Sequence, residues 1–260
     1  FGNLSFTGTN VTITENSSMS LFGTASATGN LSLTSAGAMT QGGGNLTVSG
    51  TTTLAAGAAN DIVLGNASNN FGGAVSVTNG NNVTLRDLDS ILLGTSSVTS
   101  NLTAVANGSI TQSGALTVPG TATFNASTAA GNVVTLANGG NDFGTLVIQQ
   151  ARDATIVDTN AVVVGTSTVT GNFALTAGGD ITQSGNLRVN GTGATANLQA
   201  GTFNVSLGNA TNDFNTVVVS AKDVTIADAN ALILGNVAAT GNLSVVAGGA
   251  ISQSAGATIT

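Results

Sequence analysis

A phrase of this chain returns four times, at a spacing of about 71 residues, a length that points to stacked repeat units. Thr40-Gln41 comes back as Thr111-Gln112, Thr182-Gln183 and Ser252-Gln253; Gly29-Asn30-Leu31 comes back as Ser100-Asn101-Leu102, Gly171-Asn172-Phe173 and Gly241-Asn242-Leu243. Self-similarity on this scale denotes an array of equivalent units, each covering its neighbour. The repeats fall at approximately 1–70, 71–142, 143–213 and a partial 214–260, expected to form a single continuous solenoid over residues 1–260.

Within each repeat, apolar and polar residues alternate, as in Phe173-Ala174-Leu175, Leu187-Arg188-Val189 and Phe203-Asn204-Val205-Ser206-Leu207. Asn-Gly, Gly-Gly, Asn-Asp and Ser-Gly pairs separate these runs. Period-two runs bounded by turn formers are short strands. The Ala-rich stretch Leu54–Ala59 contains Gly57 and is followed by Asn60-Asp61, which makes it a strand connection and not a helix. A sandwich closes on itself and has no reason to restate its sequence. Restatement predicts an all-β fold, a right-handed parallel β-helix (β-solenoid) of about 12–14 coils. Apolar centres near Leu187, Val205, Ile226 and Val245 lie 18 to 21 residues apart, so each repeat is expected to hold four coils of about 18 residues, with three of about 24 residues as the alternative. Stacked at ~4.8 Å, about 14 such coils make a rod on the order of 65–70 Å long.

Composition narrows the function. Charged residues are only 6% of the chain, against roughly a quarter in average domains, while 41% is hydrophobic. That hydrophobic fraction argues against disorder. The surface must therefore be made polar by Ser, Thr and Asn. Four basic residues, Arg86, Arg152, Arg188 and Lys222, are scattered along the chain and give no nucleic-acid footprint. The absence of Cys fits a cytosolic chain that has no need of it and, as the preferred reading, a polypeptide that crosses a membrane unfolded and is then secreted. No apolar run approaches the ~20 residues of a spanning helix. Phe1 begins inside a repeat phrase without a signal peptide, as expected of a segment of something longer.

Glu15, Asp87, Asp158 and Asp228 recur at equivalent places, one to each repeat. Calcium bound by the oxygens of Asp87, Asp158 and Asp228 is one reading. The preferred one is turn chemistry, each carboxylate accepting nearby backbone N–H groups, because equivalent positions lie about four coils apart and no calcium nonapeptide is present. Arg152-Asp153 and Lys222-Asp223 are expected at a solvated strand edge, where ion pairs contribute little. With neither His nor Cys in the chain, most triads and zinc sites are removed. Dispersed acids and an aromatic set limited to Phe argue against glycoside cleavage. No catalytic residue, cofactor or metal is expected. Asn-x-Ser/Thr sequons such as Asn30-Leu31-Ser32 and Asn101-Leu102-Thr103 follow from composition, and their Asn is expected to form turns or stacked amide lines.

The phrases Asn141-Asp142-Phe143-Gly144, Asp158-Thr159-Asn160-Ala161, Gly171-Asn172-Phe173 and Ala177-Gly178-Gly179-Asp180-Ile181-Thr182-Gln183 resemble the β-strand repeats of giant bacterial surface proteins of the filamentous haemagglutinin type. The first repeat departs most, with Glu15-Asn16-Ser17-Ser18 and Leu21-Phe22-Gly23 where later copies have Asp and Leu/Val-Gly. The resemblance implies a parallel β-helix, export across the outer membrane, often through a partner transporter, and a stalk or adhesive role at the bacterial cell surface. It brings no catalytic residues. The expected function is a non-catalytic stalk or fibre segment of a secreted adhesin. Its expected partners are neighbouring repeats or further copies stacked end to end, and a host-surface or matrix ligand; nucleic acid and membrane insertion are not expected. The alternative is ice or carbohydrate binding on a flat face, from Thr51-Thr52-Thr53 and Thr121-Ala122-Thr123, although these triplets recur only about every fourth coil.

Overall fold

The computed structural model describes residues 2–127 and 131–260. The chain forms two compact units, Phe1–Ser127 and Thr128–Thr260. Among the described residues there is no helix, and every strand pairing is parallel. Each unit is built of turns that lay strands alternately on two sheets, so a strand pairs with the one a full turn later and not with its chain neighbour.

In the first unit one sheet holds Val11–Glu15, Leu31–Ser35, Thr52–Ala55, Val75–Asn79, Ile91–Leu93 and Ile110–Gln112. The other holds Met19–Phe22, Met39–Gly43, Ile62–Leu64, Val83–Asp87, Leu102–Ala106 and Leu116–Ala126. A short third wall joins Thr7–Gly8, Ala25–Ala27, Leu46–Val48 and Asn70–Phe71. The second unit repeats the plan. One sheet there includes Asp153–Asp158, Phe173–Ala177, Thr195–Gln199 and Thr216–Ala221; the facing sheet includes Val162–Val164, Ile181–Gln183, Val205–Leu207 and Val224–Asp228. Its third wall is Ser167–Val169, Leu187–Val189 and Asp213–Phe214. Summed over both units there are about twelve turns of β-solenoid.

Neither expected division of the repeat is correct. Turns differ in length, from the short one that pairs Thr216 with Ile233 to the long one that pairs Arg188 with Asp213. Between Val11–Glu15 and its repeat equivalent Val83–Asp87 the chain changes sheet seven times, which is three and a half turns. The same count separates Asp153–Asp158 from Val224–Asp228 in the second unit. Within each unit, therefore, equivalent phrases sit on opposite sheets. The spacing of apolar centres concealed this because the length differences fall largely at the corners, with single-residue register shifts inside a few strands, as between Val77 and Asn79 and between Val217 and Val219.

Alternate residues of each strand face inward and stack in register on their own kind. Ile13, Leu33, Leu54 and Val77 form one such line, and Ile156, Leu175, Leu198 and Val219 another. Most of these side chains have no exposed surface. Burying a residue of this size is worth roughly 1.5–3 kcal/mol, which makes the inward row the main stabilising term. Thr52 breaks the pattern: it lies between Leu31 and Val75 in an apolar line, fully buried, and its hydroxyl has no partner. Replacing it by the isosteric valine, Thr52→Val, is expected to stabilise the first unit by about 1–2 kcal/mol, read as a higher urea midpoint with an unchanged slope. An unaltered or lower midpoint would mean that the hydroxyl finds a partner in solution.

Candidate functional site

The repeating polar residues converge on the corners, where each ties one turn to the next. Asp87 is buried at the end of its strand, and its carboxylate accepts the N–H of Phe71 at 2.9 Å and that of Asp89 at 2.7 Å. Asp158 accepts from Phe143 at 2.8 Å and Asn160 at 3.0 Å; Asp228 accepts from Phe214 at 2.7 Å and Asn230 at 3.0 Å. One bond closes the local turn, and the other crosses to the turn before. The strand places the side chain inward, and the following polar residues bend the backbone so that its N–H returns to the carboxylate. Glu15, the divergent first copy, is buried and accepts from the Ser17 hydroxyl at 3.2 Å.

A second tie was not assigned any role in the sequence. Asn69 and Asn212 are fully buried, and each exchanges two hydrogen bonds with the glutamine of the preceding Thr-Gln phrase. Asn69 and Gln41 do so at 2.7 and 3.0 Å, Asn212 and Gln183 at 2.9 and 3.0 Å. The asparagine oxygen also accepts the N–H of Leu46 or Leu187, and its amide donates to the carbonyl of Leu64 or Leu207. The available signal was the recurrence of Gln and of Asn-x-Phe at a fixed separation of 28 or 29 residues. Asn141, the intervening copy, is also fully buried and donates to the carbonyls of Leu136 and Val157.

A third set of ties runs along the exposed corners. Asn10 accepts the N–H of Asn30, whose own side chain accepts that of Thr51; Asp153 accepts from Asn172, and Asn172 from Thr195. This is the stacked line expected of Asn, with carboxylates interspersed. Glycine is required where one turn presses on the next: a Cβ on Gly178 would overlap the carbonyl oxygen of Thr159 in the turn before.

Calcium is the other reading of these three carboxylates. It takes six to eight oxygens, whereas both oxygens of Asp87, Asp158 and Asp228 already accept backbone N–H groups. Asp158 and Asp228 lie three and a half turns apart, on opposite sheets of their unit, where about four coils were expected. Among the described residues no three acids gather as metal ligands. The Arg152–Asp153 and Lys222–Asp223 pairs form at 3.5 and 3.7 Å with largely exposed cations. Lys222→Ala is expected to change stability by less than about 0.5 kcal/mol, measured by urea unfolding.

Burial pushes the carboxyls of Asp87 and Asp158 above the ordinary range, against the pull of their N–H donors. For Asp61 the N–H and side chain of Asn82 win and hold the carboxyl low; for Asp213 burial is outweighed by donors from Asn230, Asn190 and Arg188 together. A carboxyl raised in the folded state favours folding most below its unfolded pKa, near 4, and that contribution fades as pH rises through the folded value. The lowered pair acts in the opposite sense, supporting the fold above the unfolded pKa and losing that support as pH falls. Wild-type stability relative to Asp158→Asn is therefore expected to decline as pH rises from below about 4 through the folded pKa of Asp158. Urea unfolding of both proteins across the acid range measures it, and a difference that grows with pH would reverse the assignment.

A family model described as repeats of unknown function (DUF5649) matches residues 8–78, 80–150, 151–221 and 221–260. No curated protein and no solved structure matches the chain.

Proposed function

We propose that this chain, which belongs to the family of repeats of unknown function (DUF5649), is a structural repeat segment that spans distance outside a bacterial cell. The observation that carries this reading is the use to which the recurring polar residues are put: Asp, Asn and Gln are committed to turn-to-turn bonds. What such a repeat supplies is length. The adhesin role, export and cell-surface location follow from the resemblance to filamentous haemagglutinin-type repeats, supported by a cysteine-free chain with few charges. Antibodies raised against the segment should label intact producing cells. Labelling only after permeabilisation would sink the exported reading.

Carbohydrate or ice recognition gains one specific observation. Outward hydroxyls stack on successive turns, as in Thr12, Ser32, Thr53 and Ser76 and in Thr84, Thr103 and Thr123, so the rows are denser than the triplets Thr51–Thr53 and Thr121–Thr123 implied. Thr52 itself points inward. Co-sedimentation with insoluble polysaccharides and a thermal hysteresis assay test this face; failure of both removes it.

A further inference from the structure

The third wall of the second unit stops inside the chain. Ser167–Val169, Leu187–Val189 and Asp213–Phe214 lie edge to edge, but the turn that follows is the short one, which passes from Val224–Asp228 to Leu232–Ala239 and lays no strand on Asp213–Phe214. The corner it cuts leaves a notch of about 350 Å³, lined in part by Asn190, Asp213, Asn215 and Asn230. The Asp213 carboxylate can only accept, so the amide nitrogens of Asn190 and Asn230 face it, at 2.7 and 2.9 Å, while that of Asn215 faces the carbonyl of Gly191 at 3.0 Å. The three amide oxygens are thereby turned the other way, and among the described residues no donor reaches any of them. The fold alone does not ask for these residues. In the first unit Thr47 pairs with Asn70 as Arg188 pairs with Asp213, and the places of Asn190 and Asn215 are held by Ser49 and Gly72.

We propose that this notch binds a neutral sugar residue, whose hydroxyls donate to the amide oxygens of Asn190, Asn215 and Asn230. The ligand class is argued from charge and from hydrogen-bonding capacity. An anion would meet the carboxylate of Asp213. A divalent cation would meet Arg188, whose guanidinium lies 3.1 Å from that carboxylate, and both carboxylate oxygens already accept N–H groups. An uncharged polyol avoids both conflicts: each hydroxyl can donate to a free amide oxygen and can accept from the N–H groups that Arg188 still has to offer. Phe214, the one aromatic of the lining, is buried, so the sugar is held by hydrogen bonds and not by stacking. The site is distinct from the hydroxyl rows on the sheet faces, and the inference rests neither on those rows nor on the proposed export.

Saturation-transfer NMR of the whole chain with the methyl glycosides of glucose, galactose, mannose and N-acetylglucosamine tests it. At least one of the four is expected to bind, with a dissociation constant on the order of 1 mM, as suits one sugar held by a few hydrogen bonds. Asn190→Ser and Asn215→Gly each restore the residue that the first unit carries at the matching place, so the far-UV spectrum should not change. Each should weaken binding about fivefold, the worth of one hydrogen bond. Thr84→Val, in a hydroxyl row of the other unit, should leave binding as it is. No transfer to any of the four glycosides would overturn the proposal. So would binding that survives both asparagine substitutions together, or that falls with Thr84→Val instead, since recognition would then lie on the hydroxyl rows.

Discussion

Replacing Asn212 by alanine is expected to lower the stability of the unit Thr128–Thr260 by about 3–5 kcal/mol, measured by urea unfolding followed by far-UV circular dichroism. The side chain has no exposed surface and joins three turns. It accepts from Gln183 and Leu187 and donates to Gln183 and to the carbonyls of Leu207 and Ala227. Deleting it strands several buried polar groups at once. Each costs about 1–3 kcal/mol when unsatisfied, partly relieved by water entering the gap. Asn190→Ala, at an exposed corner where the amide donates to Asp213, serves as the control and should shift stability by no more than about 0.5 kcal/mol. Equal effects at the two sites would show that the buried amide pair does not hold the turns together.

Phe173→Ala is expected to be comparably damaging, about 3–5 kcal/mol, for a reason of shape. Phe173 is fully buried and stands in register between Ala154 below and Ala196 above. The ring fills space that both alanines leave, so its removal puts three alanines in succession and opens a cavity that neighbouring strands, fixed by their ladders, cannot close. Phe173→Leu restores the residue found at the equivalent positions Leu31, Leu102 and Leu243 and should cost less than about 1.5 kcal/mol. If alanine and leucine prove equally tolerated, the stacked line is looser than its register indicates.

These two sites differ in how far they were legible beforehand. Phe173 belongs to an alternating run, and its burial follows from period two alone. Its dependence on Ala154 and Ala196 does not, because register between turns is set by corner lengths that local pattern leaves free. Asp158 and Asp228 were readable as turn acceptors, since Asp followed two residues later by Asn is local chemistry. Asn212 was legible only as a recurrence and not as a contact: its partners Gln183 and Ala227 lie 29 residues before it and 15 after it, on different turns.

From its repeats, its turn formers and its lack of helical pattern, the amino-acid sequence by itself determined an all-β array of stacked parallel strands with an aliphatic interior. The strands and turns depend only on residues within a few positions of one another, and the parallel stacking on the restatement of those local patterns. Tertiary structure alone decided the phase. Turns of unequal length divide the repeat into three and a half circuits, so that within each unit equivalent residues face opposite ways. The physical reason is that a corner can absorb extra residues at little energetic cost, whereas a strand out of register by one would turn its apolar side chains to water.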